Sequence, residues 1–414
     1  MSRFFDRRGL GLTLKQNTRR YYRWEFFWLS VIVITALVLH FSLVLIPNDI
    51  ILDEIHYIKD ARSIIDKGVT ERTEHPPLAK LLITGGIEMF GDNPWGWRVL
   101  PILFGMATVI IFYILCRKLN MSRTASSLAV FLLATENLFF LMSSLAMLDV
   151  YYVTFMMASF LLYIYGRYLT SGIAIALSAL AKFNGALAGP VVGIHWLFSK
   201  KGRSKWFMIT VIAAILLFFG LLPLLDMIIT RSPSGARNPI QQTLNALELT
   251  GGLTFANVDH PNAMPPWQWL YTYKPMPFYY MPHWTAAISF SVFAAIIPTF
   301  IYMLIRCFKR DEAGLFGVSW FFATYLIWIP ATFITDRVTY IYYFYPAVGA
   351  ICLGMGMWLG QLWDIFRRRA GGKLKWFTFS VVIFFIAVHI FSFLILSPFI
   401  QVDFAKLVGL STVY

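Results

Sequence analysis

Residues 206–229 read WFMITVIAAILLFFGLLPLLDMII, an apolar run long enough to cross a lipid bilayer as one helix. A span needs about 20 mainly apolar residues at roughly 1.5 Å rise each. Lys200, Lys201, Arg203 and Lys205 stand just before it, and the same alternation of apolar run and basic loop recurs along the chain. The 414 residues are 58% hydrophobic and only 14% charged, against roughly 45–50% and about 25% in soluble proteins. Such a chain is neither soluble nor disordered. Three cysteines, Cys116, Cys307 and Cys352, lie in or beside apolar runs and act as small hydrophobes, which excludes a disulfide-stapled scaffold. The net charge of +14 does not point to nucleic acid, because the basic residues separate apolar segments instead of forming one face of a soluble domain. The composition predicts an all-α polytopic membrane protein.

Helices are expected near 25–47, 97–116, 124–143, 149–169, 171–182, 184–198, 206–229, 284–305, 314–334, 338–361 and 376–397, about eleven spans. Two of these, 171–182 and 184–198, are short, and Gly185, Gly189, Pro190 and Gly193 interrupt them. Non-helical backbone at membrane depth is tolerated where protein or a cavity covers it. Most of the 35 Lys and Arg fall in residues 1–24 and in alternate loops, so that face is expected to be cytoplasmic, with the N-terminus inside and the C-terminus outside. Residues 1–47 do not read as a cleaved signal, since the apolar part is too long. Two long loops, 48–96 and 230–283, then face outward within a single domain spanning 1–414. The first holds nine of the 21 acids and the second is rich in Pro and Trp. Long loops of this kind are usually functional, and both are expected to be ordered, with helices lying on the bilayer surface.

The polar residues that chemistry could use gather at that outward face. Asp53-Glu54-Ile55-His56-Tyr57 follows the first span. Low dielectric there would raise a carboxylate toward a useful general base; the alternative is a solvated acidic start to a loop. In Glu74-His75-Pro76-Pro77-Leu78-Ala79-Lys80 the prolines hold His75 extended and start a helix at Pro77. Asp149, between two apolar runs, is a site residue or a helix N-cap. Lys182 either pairs with an acid or phosphate or snorkels to the interface. His260, Trp267 and Trp269, with Tyr279 and Tyr280 beyond, suit sugar stacking or an interfacial belt. Arg337, ahead of Tyr340, Tyr342, Tyr343 and Tyr345, either clamps a phosphate or sits at headgroup level. No P-loop, nucleophile elbow, HExxH or CxxC pair occurs, no metal spacing is present, and a divalent metal is not indicated. A transporter or flippase would place polar residues near the midplane and show related halves. Neither is seen here.

In this order the motifs Asp53-Glu54-Ile55-His56-Tyr57, His75-Pro76-Pro77-Leu78-Ala79-Lys80, Leu148-Asp149 and Lys182-Phe183-Asn184-Gly185 resemble those of the protein O-mannosyltransferases, and Trp267-x-Trp269 to Tyr280 and Arg337 to Pro346 resemble that family's later signatures. The resemblance covers roughly residues 25–350. It implies a GT-C fold of eleven spans and an inverting transfer of mannose from a polyprenyl or dolichyl phosphate to Ser or Thr of translocated proteins. Carried over, Asp53 is the base with Glu54 beside it; His75, Lys80, Asp149, Lys182 and Arg337 hold the donor and its phosphate; and His56, Tyr57, Glu74, His260, Trp267, Trp269 and Tyr343 line the sugar and acceptor. Related GT-C enzymes move aminoarabinose to lipid A, so a lipid or glycan acceptor is the alternative. Leu145 stands where the family usually has Arg, and Tyr342-Tyr343-Phe344 replaces Tyr-His-Tyr. With no MIR domain in the sequence, a minimal form in a prokaryotic plasma membrane is expected over one in the endoplasmic reticulum.

Overall fold

The structure, a computed structural model, describes residues 25–200, 203–258, 260–368 and 371–400. The basic N-terminal stretch 1–24, on which much of the orientation argument rests, lies outside them, as do Lys201, Arg369 and the C-terminal residues from 401.

Helix α1 (Phe27–Leu43) leads into the first long loop, which folds as α2 (Glu54–Lys67) and α3 (Leu78–Phe90). Next come α4 (Pro94–Lys118), α5 (Arg123–Ala134), α6 (Asn137–Ser144), α7 (Leu148–Ile164), α8 (Tyr168–Ala181), α9 (Ala188–Phe198) and α10 (Phe207–Thr230). The second long loop holds α11 (Pro239–Gly251), a 3₁₀ turn (Pro266–Leu270) and an antiparallel hairpin, β1 (Met276–Tyr280) with β2 (His283–Ala286). Helices α12 (Phe290–Phe308), α13 (Glu312–Phe321), α14 (Trp328–Thr335), α15 (Tyr345–Arg368) and α16 (Lys373–Leu396) complete the chain.

Among the described residues six helices are long and apolar enough to cross a bilayer, or seven if the pair α5 and α6, bent by 59°, is one span. Four further apolar helices, α1, α7, α8 and Phe183–Phe198, are shorter. All eleven segments expected from the sequence are largely helical, but by length alone the crossings number six or seven. The spans near 284–305 and 338–361 begin later than expected. Residues 283–286 pair as a strand, and a 3₁₀ turn (Ile341–Phe344) precedes α15.

The span Ile341–Arg368, which contains α15, is the axis of the bundle and is almost wholly buried within protein, whereas α10 is mostly exposed. Small residues bring α15 against α5. A Cβ on Gly356 would lie 2.5 Å from the Ala129 Cβ, and one on Gly360 2.6 Å from the Ala125 Cβ. Paired small-xxx-small stripes permit such close approach where lipid supplies no hydrophobic drive between helices. The two long loops meet at one end of the bundle, where Arg231 Nη2 donates to the Ile65 carbonyl (3.0 Å) and the Tyr279 hydroxyl to Asp49 Oδ2 (3.5 Å).

Candidate active site

The chain leaves α1, turns through residues 51–53 and enters α2 with Asp53 as its N-cap. The Asp53 side chain does not cap the helix, and among the described residues nothing donates to its carboxylate. It remains partly exposed. Burial is the main influence on it and raises its carboxyl above the usual range; Asp149 adds to this, while Lys182, His56 and Arg72 oppose it.

Asp149 in the first turn of α7 and Lys182 just past the end of α8 form a buried pair, with Nζ 3.0 and 2.8 Å from the two carboxylate oxygens. The position of Lys182 follows from a break in the chain. After α8 it turns extended (φ −159°, ψ 140°), and a 3₁₀ turn (Phe183–Leu187) follows. A Cβ on Gly185 would sit 2.1 Å from the Ser178 carbonyl oxygen, so only glycine lets this turn close on the end of α8.

His75 completes the inner group. Burial lowers its pKa well below the usual imidazole value, helped by Lys182, Lys80, Arg337 and Arg72, so its ring is neutral at neutral pH. The Tyr57 ring lies 6.3 Å away. Arg72 bonds His56 Nδ1 and pairs with Glu74 at 3.3 Å. From the other side Arg337 donates to the Thr250 carbonyl, with its Nη2 3.4 Å from the Tyr343 hydroxyl. Among the described residues no carboxylate pairs with Arg337. Its positive charge is therefore the uncompensated one in this group. His260 stands edge-on to Tyr340 at 5.3 Å, and Tyr340 stacks on Tyr342 at 5.6 Å.

Three expected site residues are placed otherwise. Lys80, expected at a phosphate, is fully buried, and its ammonium meets Asp60 Oδ2 (3.1 Å), Thr70 Oγ1 (2.7 Å) and the Arg72 carbonyl. These three acceptors match its three protons, so Lys80 fixes the loop that presents Arg72. Glu54, expected beside the base, is fully buried in a two-point pair with Arg98 (3.1 and 2.8 Å) and turned away from solvent. Trp269, expected to line sugar, is core: its indole donates to the Met264 carbonyl and its ring meets Tyr325. Trp267 stacks on Phe333 at 4.8 Å. Sequence reasoning missed Arg72, Asp60 and Arg98. Arg98 carried a usable signal, since an arginine entering an apolar helix needs a partner.

Residues 74–225 match the family described as dolichyl-phosphate-mannose–protein mannosyltransferase. A polyprenol-phosphate-mannose–protein mannosyltransferase of Corynebacterium glutamicum is 21% identical over 89% of this chain and 88% of its own length. One from Mycobacterium tuberculosis is 31% identical over 35% of this chain and 29% of its own. Among solved structures, the S. cerevisiae protein O-mannosyltransferase complex bound to the sugar donor superposes with a TM-score of 0.73 over 91% of this chain and 90% of that one, at 12% identity. ArnT from Cupriavidus metallidurans bound to undecaprenyl phosphate gives 0.54 over 90% and 71%, at 16% identity. The chain thus has the fold of the GT-C membrane enzymes, and its sequence is similar to those of protein mannosyltransferases.

Proposed function

We propose that the chain transfers mannose, with inversion, from a polyprenyl phosphate to Ser or Thr hydroxyls of polypeptides emerging across a prokaryotic plasma membrane, at the face away from the cytosol. The observation that carries this reading is the unpaired Asp53 carboxylate beside the Lys182–Asp149 pair, with the uncompensated Arg337 on the same group. Asp53 takes the proton from the acceptor hydroxyl as its oxygen attacks C1 of the sugar. The C1–O bond to phosphate breaks on the opposite face, and its electron pair leaves on the phosphate. Lys182 and Arg337 meet the charge that develops there, which is the interaction that lowers a barrier of this kind. Asp149 orients Lys182. The neutral His75 donates a hydrogen bond to the donor without adding a charge.

The names of the relatives support mannose and a protein acceptor. The test incubates purified protein with radiolabelled polyprenyl-phosphate sugars and a panel of peptide, lipid and glycan acceptors. Labelled peptide from the mannosyl donor is expected; label passing only to a lipid or glycan would replace this reading with that of a transferase acting on a lipid or glycan acceptor.

A second prediction concerns the turn at Lys182. In Gly185→Ala the added methyl collides with the Ser178 carbonyl, and the turn shifts with Lys182 on it. Misplacement by about 1 Å can cost roughly 10²-fold in rate, so kcat/KM for the lipid donor should fall toward that extent. A variant with the wild-type kcat/KM would show that Lys182 need not be held there.

A further inference from the structure

We infer that a groove between the motif loop and α11 is the acceptor subsite, and that it holds an extended polypeptide by its backbone. The inference rests on the proposed protein-mannosyl transfer. The groove, of about 870 Å³, is lined by Thr73 and, from α11 and the residues beside it, by Arg237, Gln241, Asn245, Glu248 and the apolar Leu249 among others. Thr73 lies between Arg72 and Glu74, so the groove borders the loop that carries His75.

The helix is two-faced. Ile240, Leu244 and Leu247 form an exposed apolar stripe, 61, 55 and 51% accessible, which suits contact with lipid at headgroup level. Gln241, Asn245 and Glu248 lie on the groove side at spacings of four and three. Their neighbours are already satisfied: Arg237 pairs with Asp226 at 3.1 and 2.6 Å, and Gln242 bonds Asp226. Asn238 Oδ1 caps the helix through the amides of residues 240 and 241. Gln241 Nε2 donates to Asn245 Oδ1 at 2.8 Å. That leaves Gln241 Oε1 as an open acceptor and Asn245 Nδ2 as an open donor among the described residues.

An extended peptide offers carbonyls and amides that repeat every two residues, about 6.8 Å. Polar side chains one helical turn apart, about 5.4 Å, with an open acceptor and an open donor, can follow that repeat. Glu248 has no basic partner among the described residues, which favours acceptors with Lys or Arg flanking the hydroxyl.

The test uses the full-length enzyme in detergent with two synthetic Ala-Pro-Thr peptides, one flanked by Lys and one by Glu. Gln241 and Asn245 are exposed helix positions where alanine preserves the helix. In Gln241→Ala/Asn245→Ala the peptide KM should rise about tenfold while the donor KM holds. Glu248→Lys should reverse the preference between the two peptides. A peptide KM within twofold of wild type, or an unmoved flank preference, overturns the groove alone. Wild-type enzyme that labels lipid or glycan but neither peptide overturns the groove together with the protein-acceptor reading.

Discussion

Asp53→Asn should abolish sugar transfer, with kcat falling by about 10²–10⁴-fold, while the protein inserts, folds and binds its lipid donor as before. Asparagine has the same shape but cannot take a proton. The Asp53 side chain makes no cap bond to α2, so the exchange removes no structural contact. The pH profile offers a second, independent sign. A base must be ionised to act, and burial raises the Asp53 carboxyl above the usual carboxylate range. Activity should therefore decline as pH falls through that raised value, giving an acid limb at higher pH than an exposed aspartate would give. The positive neighbours Lys182, His56 and Arg72 hold the value down, so Arg72→Gln should move the limb to still higher pH. Radiolabel transfer measured across pH for both variants decides the matter. More than a tenth of wild-type turnover in Asp53→Asn would mean that a group other than Asp53 accepts the hydroxyl proton.

The membrane class and the helical segments were legible because long apolar runs have no other physical outlet than lipid or a large core. The motifs were legible as polar residues in a chain that otherwise avoids charge. Less legible was which member of each motif lies open and which is packed against protein. In Asp53-Glu54 the two carboxylates are neighbours in sequence, yet one is open and the other lies in a fully buried ion pair. The deciding partner, Arg98, is far along the chain on α4. Lys80 and Lys182 both lie in family-like motifs, but a local loop around Asp60, Thr70 and Arg72 closes on Lys80. Lys182 faces Asp149 next to Asp53. Such sorting depends on long-range contacts that no spacing encodes. The hairpin at 276–286 was likewise invisible beside the aromatic composition of that loop.

Glu54→Ala should produce a large loss of stability, and its effect should separate cleanly from that of Asp53→Asn. Both Glu54 oxygens are filled. Oε1 accepts from Arg98 Nε (3.1 Å) and the Ala146 amide (2.8 Å), and Oε2 from Arg98 Nη2 (2.8 Å) and the Ile51 amide (2.9 Å). Arg98 also donates to the carbonyls of Val44, Pro47 and Asp49 at 3.0, 2.9 and 2.7 Å. One ion pair therefore joins the end of α1, the turn before Asp53, the start of α4 and the link that leads to Asp149. Removing the carboxylate leaves the fully buried Arg98 guanidinium without its counter-charge, a change that costs about 3–5 kcal/mol. The thermal unfolding midpoint in detergent should drop in Glu54→Ala and stay level in Asp53→Asn. Replacing both partners by apolar residues, Glu54→Leu with Arg98→Met, should recover only part of the midpoint: no buried charge remains unpaired, but the backbone groups of Val44, Pro47, Asp49, Ile51 and Ala146 lose their partners. It should not recover the activity, since the turn carrying Asp53 would have lost the bonds that hold it. If Glu54→Ala instead kept its midpoint and lost only turnover, Glu54 would belong to the chemistry, and the frame assigned to it would have to lie elsewhere.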